Sequence, residues 1–147
     1  MMRWLIVAMA AALLPGLGPG TASVARADDI KVAGAGPITG PYAAIGEQMK
    51  RGAELAVKDI NAKGGVVGEQ LSLTMGDDAC DPKQARSLAN QLADKGVVFV
   101  DGHYCSGSSI PASAVYADSG MLEISPASTN PTYTDDAFKK GWNNVFR

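Results

Sequence analysis

Asp77-Asp78-Ala79-Cys80-Asp81-Pro82-Lys83-Gln84-Ala85 follows an alternating apolar run, Leu71-Ser72-Leu73-Thr74-Met75, and opens a helix. Asp81 is a natural N-cap, Pro82 suits the first helical position, and Gln84, three residues after the aspartate, completes a capping-box pattern. The predicted helix runs to Lys95, and Gly96 ends it. Val97-Val98-Phe99-Val100 is then a continuous apolar strand, as expected of a strand covered on both faces. Past it comes Gly102-His103-Tyr104-Cys105-Ser106. The chain has two cysteines, and each lies just beyond a predicted strand. Successive parallel strands end on one edge of their sheet, so Cys80 and Cys105 can meet there.

Upstream, Ile30-Lys31-Val32-Ala33 reads as a buried strand, and Gly34 to Pro41 as a loop, because its three glycines and two prolines argue against regular structure. Residues 43–63 are predicted helical: Ile45, Met49, Ala53, Ala56, Val57 and Ile60 form one apolar stripe, and Gly64-Gly65 stops the helix. Downstream, a short helix is expected from Pro111 to Ser119 and a fourth strand at Met121-Leu122-Glu123-Ile124. Beyond Pro126 the chain reads as polar loop, and Asn144 to Arg147 as the start of a further strand. The order β-α-β-α-β-α-β specifies the α/β class, with a doubly wound, mostly parallel sheet.

At 147 residues the chain holds at most one domain. Its beginning is not part of that domain. A basic start (Arg3), an apolar run from Trp4 to Leu14, a Gly/Pro break and the small-residue site Ala25-Arg26-Ala27 have the order of a signal peptide cleaved after Ala27. The apolar run is too short for a membrane anchor, since the bilayer core is about 30 Å thick. Residues 28–147 then form the mature domain, with 11 basic and 15 acidic side chains. That balance, without a basic patch, argues against nucleic acid or an anionic membrane as partner. Export places the cysteines in an oxidising compartment, where a disulfide across about 25 residues would contribute about 3 kcal/mol. A metal site is the alternative reading, but His103 is the one histidine, and two Cys plus one His fall short of a structural zinc set.

Ligands of such sheets bind at the carboxyl ends of the strands. Four loops qualify: Gly34 to Pro41, Gly76 to Asp81, Gly102 to Ile110, and Ser125 to Pro131. Ser106-Gly107-Ser108-Ser109 precedes a helix, where backbone N–H groups and hydroxyls favour a small anion; helix capping is the plainer use of the same serines. Ser125-Pro126-Ala127-Ser128-Thr129 adds hydroxyls and carbonyls without a lysine or arginine, which suits a small zwitterion better than a nucleotide triphosphate. Asp77 and Asp78 could serve acid/base or metal chemistry, but adjacent acids beside a disulfide read first as solvated loop residues. His103 reads as structural, and no nucleophile has an evident base and orienter, so no catalytic residue is assigned. Gly34-Ala35-Gly36 hints at a dinucleotide turn, yet Pro37 interrupts it and no acidic residue closes a second strand at the required distance. The expectation is a binding protein without a cofactor.

Several ordered segments together carry a resemblance: Asp29 to Ala33, Gly40-Pro41, Asp59-Ile60-Asn61-Ala62-Lys63-Gly64-Gly65, Asp77 to Ala85, Gly102-His103, Cys105-Ser106, Pro111-Ala112-Ser113 and Ser125-Pro126-Ala127. They resemble the amino-terminal part of the periplasmic branched-chain amino-acid-binding proteins, the leucine/isoleucine/valine receptors of ABC importers. The resemblance implies a type I periplasmic-binding-protein fold, with two lobes closing on the ligand about a hinge. It implies a Cys80–Cys105 disulfide. Ser106 would bind the ligand α-carboxylate, the Ala127 carbonyl its ammonium, and Thr129 both, through backbone and hydroxyl. Tyr104 and Cys105 would border the side-chain pocket. The implied partners are a small amino acid and an inner-membrane ABC permease, with the protein itself a monomer.

This chain departs from the family at Ile45, where a large aromatic usually stands, and at Tyr104, where a smaller apolar residue is common. The choice among leucine, isoleucine, valine and phenylalanine therefore stays open, and related receptors take amides or urea. Family members are also more than twice as long. The second lobe and the later return of the chain that completes the first lobe are therefore expected to be absent, leaving half a site and an uncovered apolar surface.

Overall fold

Among residues 28–147, which the computed structural model describes, five strands alternate with four helices. The predicted signal peptide and its cleavage point lie outside the described residues. The elements are β1 (Ile30–Gly36), α1 (Ala43–Ala62), β2 (Leu71–Asp77), α2 (Pro82–Asp94), β3 (Phe99–Gly102), α3 (Ser106–Asp118), β4 (Leu122–Ile124), α4 (Pro131–Lys140) and β5 (Val145–Phe146). The sheet runs β2-β1-β3-β4-β5 with every pairing parallel. The chain moves from β1 to β2 on one side, then crosses to β3 on the other. That reversal opens a crevice between the carboxyl ends of β1 and β3, the place where this architecture binds ligands.

The predicted N-terminus of α2 is present with one change. Asp81 Oδ1 accepts from the Lys83 and Gln84 N–H groups at 2.9 and 2.8 Å, and Pro82 opens the helix. Gln84 does not reach back to Asp81; its Nε2 donates to the Asp77 carbonyl at 3.0 Å and so fastens α2 to the end of β2. α2 and α3 pack together on one face of the sheet. There Leu88, Ala89 and Leu92 of α2 meet Ala33 and Ala35 of β1, Val100 of β3, and Ala112 and Tyr116 of α3. Burial in β3 alternates: Val100 enters this core, whereas Phe99 on the other face is only half-buried, so the strand is covered on one face and not on both as its apolar sequence predicts.

The opposite face is covered only over β1 and β2, by α1, which buries no residue completely except Gly46. Met49, Ala53 and Val57 of the expected stripe are half-buried, whereas Ala56 and Ile60 are exposed. Phe99, Leu122, Ile124 and Phe146 extend an uncovered apolar surface across this face.

Three predicted boundaries are corrected. β1 continues through Gly34 to Gly36 because these glycines allow close packing: a Cβ at Gly34 would lie 2.6 Å from the Met75 sulfur, and one at Gly36 3.1 Å from that of Met49. α3 begins at Ser106, not Pro111. The Ser108 and Ser109 N–H groups bond to the Cys105 carbonyl at 2.9 and 3.0 Å, so a helical turn exists before the proline, which then sits inside the helix. The segment read as polar loop after Pro126 contains α4, started by Asn130, whose side chain accepts from the Thr132 N–H at 3.0 Å, and by Pro131. α4 buries Tyr133 and Ala137 against Val145 of β5, Ile110 and Trp142.

Candidate functional site

Four loops meet at the carboxyl edge of the sheet, and each is tied to its neighbours. The β1 loop is held to the end of β2 by Asp77, whose carboxylate accepts from the Thr39 hydroxyl at 2.5 Å and the Thr39 N–H at 3.1 Å. Burial alone would raise the Asp77 pKa, but the hydrogen bonds from Thr39 and from the Ala79 N–H outweigh it and hold the carboxyl below its ordinary value. The β2 loop then turns through Ala79 and Cys80, both at positive φ (46° and 57°), a conformation costly for non-glycine residues. Asp77 Oδ1 accepts from Ala79 N–H and Asp78 Oδ1 from Cys80 N–H, at 2.9 and 2.8 Å, which supports the turn. Cys80 is joined to Cys105 of the β3 loop in the expected disulfide, with Cα atoms 5.5 Å apart, inside the usual range. Gly102 admits the close approach of β3 to β1, since a Cβ there would lie 2.2 Å from the Ala35 carbonyl oxygen.

Ser106 is the first residue of α3 and is half-buried. Its Oγ accepts from the N–H groups of Thr129 (3.1 Å) and Asn130 (3.2 Å) in the β4 loop. A hydroxyl has two acceptor positions and one hydrogen. With both acceptor positions filled, what Ser106 has left to offer is a donor, at the N-terminus of a 13-residue helix that favours negative charge. The Thr129 N–H is engaged with Ser106, so Thr129 presents its hydroxyl and carbonyl. Ala127 is half-buried in the same loop, two residues before Thr129. Tyr104 adjoins the corner, and its ring meets that of Tyr42, from the β1 loop, at a centroid distance of 6.3 Å. Ile45 is half-buried on the first turn of α1, where its N–H bonds to the Tyr42 carbonyl at 2.9 Å. The structure thus brings Ser106, Thr129, Ala127, Tyr104 and Cys105 to one edge, with Ile45 on the neighbouring helix.

The residues that sequence reasoning missed lie beneath this edge. Asp78, read as a solvated loop acid, is fully buried, and His103 with it. His103 Nδ1 meets Asp78 Oδ2 at 2.5 Å and Nε2 meets the Tyr116 hydroxyl at 2.9 Å, with the imidazole stacked on the Tyr116 ring. Ser125 Oγ donates to the His103 carbonyl at 2.6 Å and accepts from the Ser128 N–H at 2.9 Å. Ser109 and Ser128 hydroxyls lie 2.6 Å apart and each reaches the same carbonyl at 3.3 Å. No group of three or more potential metal ligands occurs among the described residues.

The periplasmic binding protein family matches residues 29–144. This chain is a member of that family. It is 54% identical over 119 residues to the Leu/Ile/Val-binding protein homolog 2 of Brucella abortus, covering 81% of this chain and 31% of that protein. With the Leu/Ile/Val/Thr-binding protein of Salmonella typhimurium it shares 51% identity over 116 residues, 79% of this chain and 32% of the relative. Among solved structures, the branched-chain amino acid transporter substrate-binding protein LivJ of Streptococcus pneumoniae, in complex with isoleucine, superimposes with a TM-score of 0.72 at 32% identity over 81% of this chain and 33% of that one. An ABC transporter substrate-binding protein of Desulfitobacterium hafniense complexed with Leu gives 0.65 at 37% identity, over 82% and 34%. The type I periplasmic-binding-protein fold is therefore established for the described residues. The chain spans about a third of the length of these relatives.

Proposed function

We propose that residues 28–147 are the amino-terminal lobe of a periplasmic receptor for branched-chain amino acids, which hands its ligand to an inner-membrane ABC permease and performs no catalysis. One observation carries this reading: Ser106, at the N-terminus of α3, accepts two N–H groups from the β4 loop and keeps a hydrogen to donate. A carboxylate fits that hydrogen and the helix N-terminus, and an ammonium fits the Ala127 carbonyl and the Thr129 oxygens. Cys105 and Tyr104, with Ile45 on the neighbouring helix, would border the ligand side chain. Export, with cleavage after Ala27, and the monomeric state belong to the same reading. Related proteins are named for leucine, isoleucine and valine binding, which supports the ligand class.

Calorimetry with leucine, isoleucine and valine tests it. Residues 28–147 taken alone supply one wall of the site, so that segment should bind at least about 100-fold more weakly than a two-lobed relative, a difference of about 2.7 kcal/mol. Ser106→Ala should weaken that binding about tenfold further, the loss of one hydrogen bond to a charged group. Undiminished binding by that variant would refute the assignment of Ser106, and micromolar affinity in the wild-type chain would refute the half-site argument.

A further inference from the structure

His103 touches more of the edge than any residue assigned to the ligand. Its side chain reaches the β2 loop through Asp78 and the third turn of α3 through Tyr116. Its carbonyl accepts the Ser125 hydroxyl hydrogen at 2.6 Å and lies 3.3 Å from the hydroxyls of Ser128 in the β4 loop and Ser109 of α3, which share a 2.6 Å hydrogen bond of their own, so one of those two is free to donate to it. The loop those serines belong to carries Ala127 and Thr129, and its Thr129 and Asn130 N–H groups land on Ser106. From these contacts we infer that His103 is a positioning residue: it fixes the peptide whose carbonyl anchors the β4 loop, and so sets Thr129 against Ser106.

The physical basis is burial. Asp78, His103, Ser109, Ser125 and Ser128 are all buried, so each polar group must find its partner within this array or lose a hydrogen bond with no water to replace it. The imidazole is held at both nitrogens, by partners on two different elements, which leaves the ring and the peptide behind it one orientation. A looser ring releases the His103 carbonyl, then Ser125, then the turn from Ser125 to Asn130. The inference rests on the proposed ligand corner, but its principal test does not require a ligand.

Hydrogen exchange by NMR on the ligand-free chain reads the amides of Ser128, Thr129 and Asn130 directly. His103→Asn keeps a donor for Asp78 and loses Tyr116; Tyr116→Phe removes one hydroxyl and is the gentler variant should the first fail to fold. Either should speed exchange at these three amides at least about tenfold while β1 and α2 amides stay as in the wild type. Unchanged exchange there, or a uniform rise across the sheet, would overturn positioning and leave His103 a packing residue. Leucine affinity supplies the second readout: losses in His103→Asn and Ser106→Ala should be less than additive when combined, because both act through the same loop. Additive losses would overturn the link to the ligand. A wild-type chain that binds no amino acid, yet whose variants show the local exchange, would refute the proposed function while supporting the positioning of the loop.

Discussion

Glu123 should make this protein less stable as the pH rises. It lies on β4, fully buried, and neither carboxyl oxygen has a hydrogen-bond partner among the described residues. A hydroxyl that could serve it, that of Tyr133, donates instead to the Phe146 carbonyl at 3.1 Å. Burial pushes the Glu123 carboxyl up to about 9 from an ordinary value of 4.5, and burial first, then the neighbouring Glu123 carboxylate, raises the hydroxyls of Tyr116 and Tyr133. The folded chain keeps a proton that the unfolded chain releases above its own pKa. Stability is therefore full below pH 4.5 and falls as pH rises towards 9, by up to about 1.4 kcal/mol per unit, and levels off above that. Between pH 5 and pH 7 the loss amounts to about 2–3 kcal/mol, a sizeable part of a stability that is typically 5–15 kcal/mol. Glu123→Gln is isosteric and does not ionise. It should match the wild type near pH 4.5 and exceed it by about 3 kcal/mol at pH 7. Urea unfolding followed by Trp142 fluorescence, which reports on the α4–β5 cluster, measures both proteins from pH 4.5 to 9. Equal pH slopes for the two proteins, or a wild type that gains stability over this range, would refute the reasoning.

Asp81→Ala should cost about 1 kcal/mol and lower the Tm by several degrees, since two N–H groups lose their cap; thermal unfolding by circular dichroism measures it. Reduction of Cys80–Cys105, or its replacement by alanines, should cost about 3 kcal/mol in urea unfolding and should loosen the β2 and β3 loops first. Asp77 gives the opposite pH sign to Glu123. Its carboxyl is held below the ordinary 3.8, so its tie to Thr39 contributes stability above that value and is lost as pH falls below it. NMR titration of the Thr39 amide should show the change in the wild type and none in Asp77→Asn.

The fold was legible wherever period and punctuation agree. Asp81-Pro82 marked α2, and the alternation of elements implied a parallel sheet; Val97 to Val100 pointed to a strand covered on both faces, whereas β3 lies two residues later and is covered on one face. α4 escaped because its ten residues, Pro-Thr-Tyr-Thr-Asp-Asp-Ala-Phe-Lys-Lys, bury only Tyr133 and Ala137 fully and show no apolar stripe. Its caps were nevertheless in plain sight: Asn130-Pro131 at the start repeats the logic of Asp81-Pro82, and Gly141, at φ 69°, ends it. Two polar-looking stretches were thus judged by different signals, and the capping signal was the better one. The glycines of β1 misled for a related reason. They read as loop formers, whereas Met75 and Met49 occupy the space that side chains at Gly34 and Gly36 would fill.

The site divides along a physical line. The loops that hold Ser106, Ala127 and Thr129 could be picked out because they follow strands at the sheet edge, where topology says ligands bind, while the choice of those residues within them rests on the family resemblance. The array below them could not. Asp78 and His103 are 25 residues apart, His103 and Tyr116 are 13 apart, and Ser125 reaches back 22 residues to a main-chain carbonyl. No local period connects these positions; only the closing of three loops over one another does. Adjacent Asp77 and Asp78 show how sharp the division is. One faces the edge and binds Thr39, the next is sealed inside against His103, and strand alternation past the end of β2 decides which is which. Sequence reading reaches the loops of the sheet edge sooner than the buried polar contacts that hold them in place. Those contacts are where substitutions distant from the ligand should change affinity without touching it.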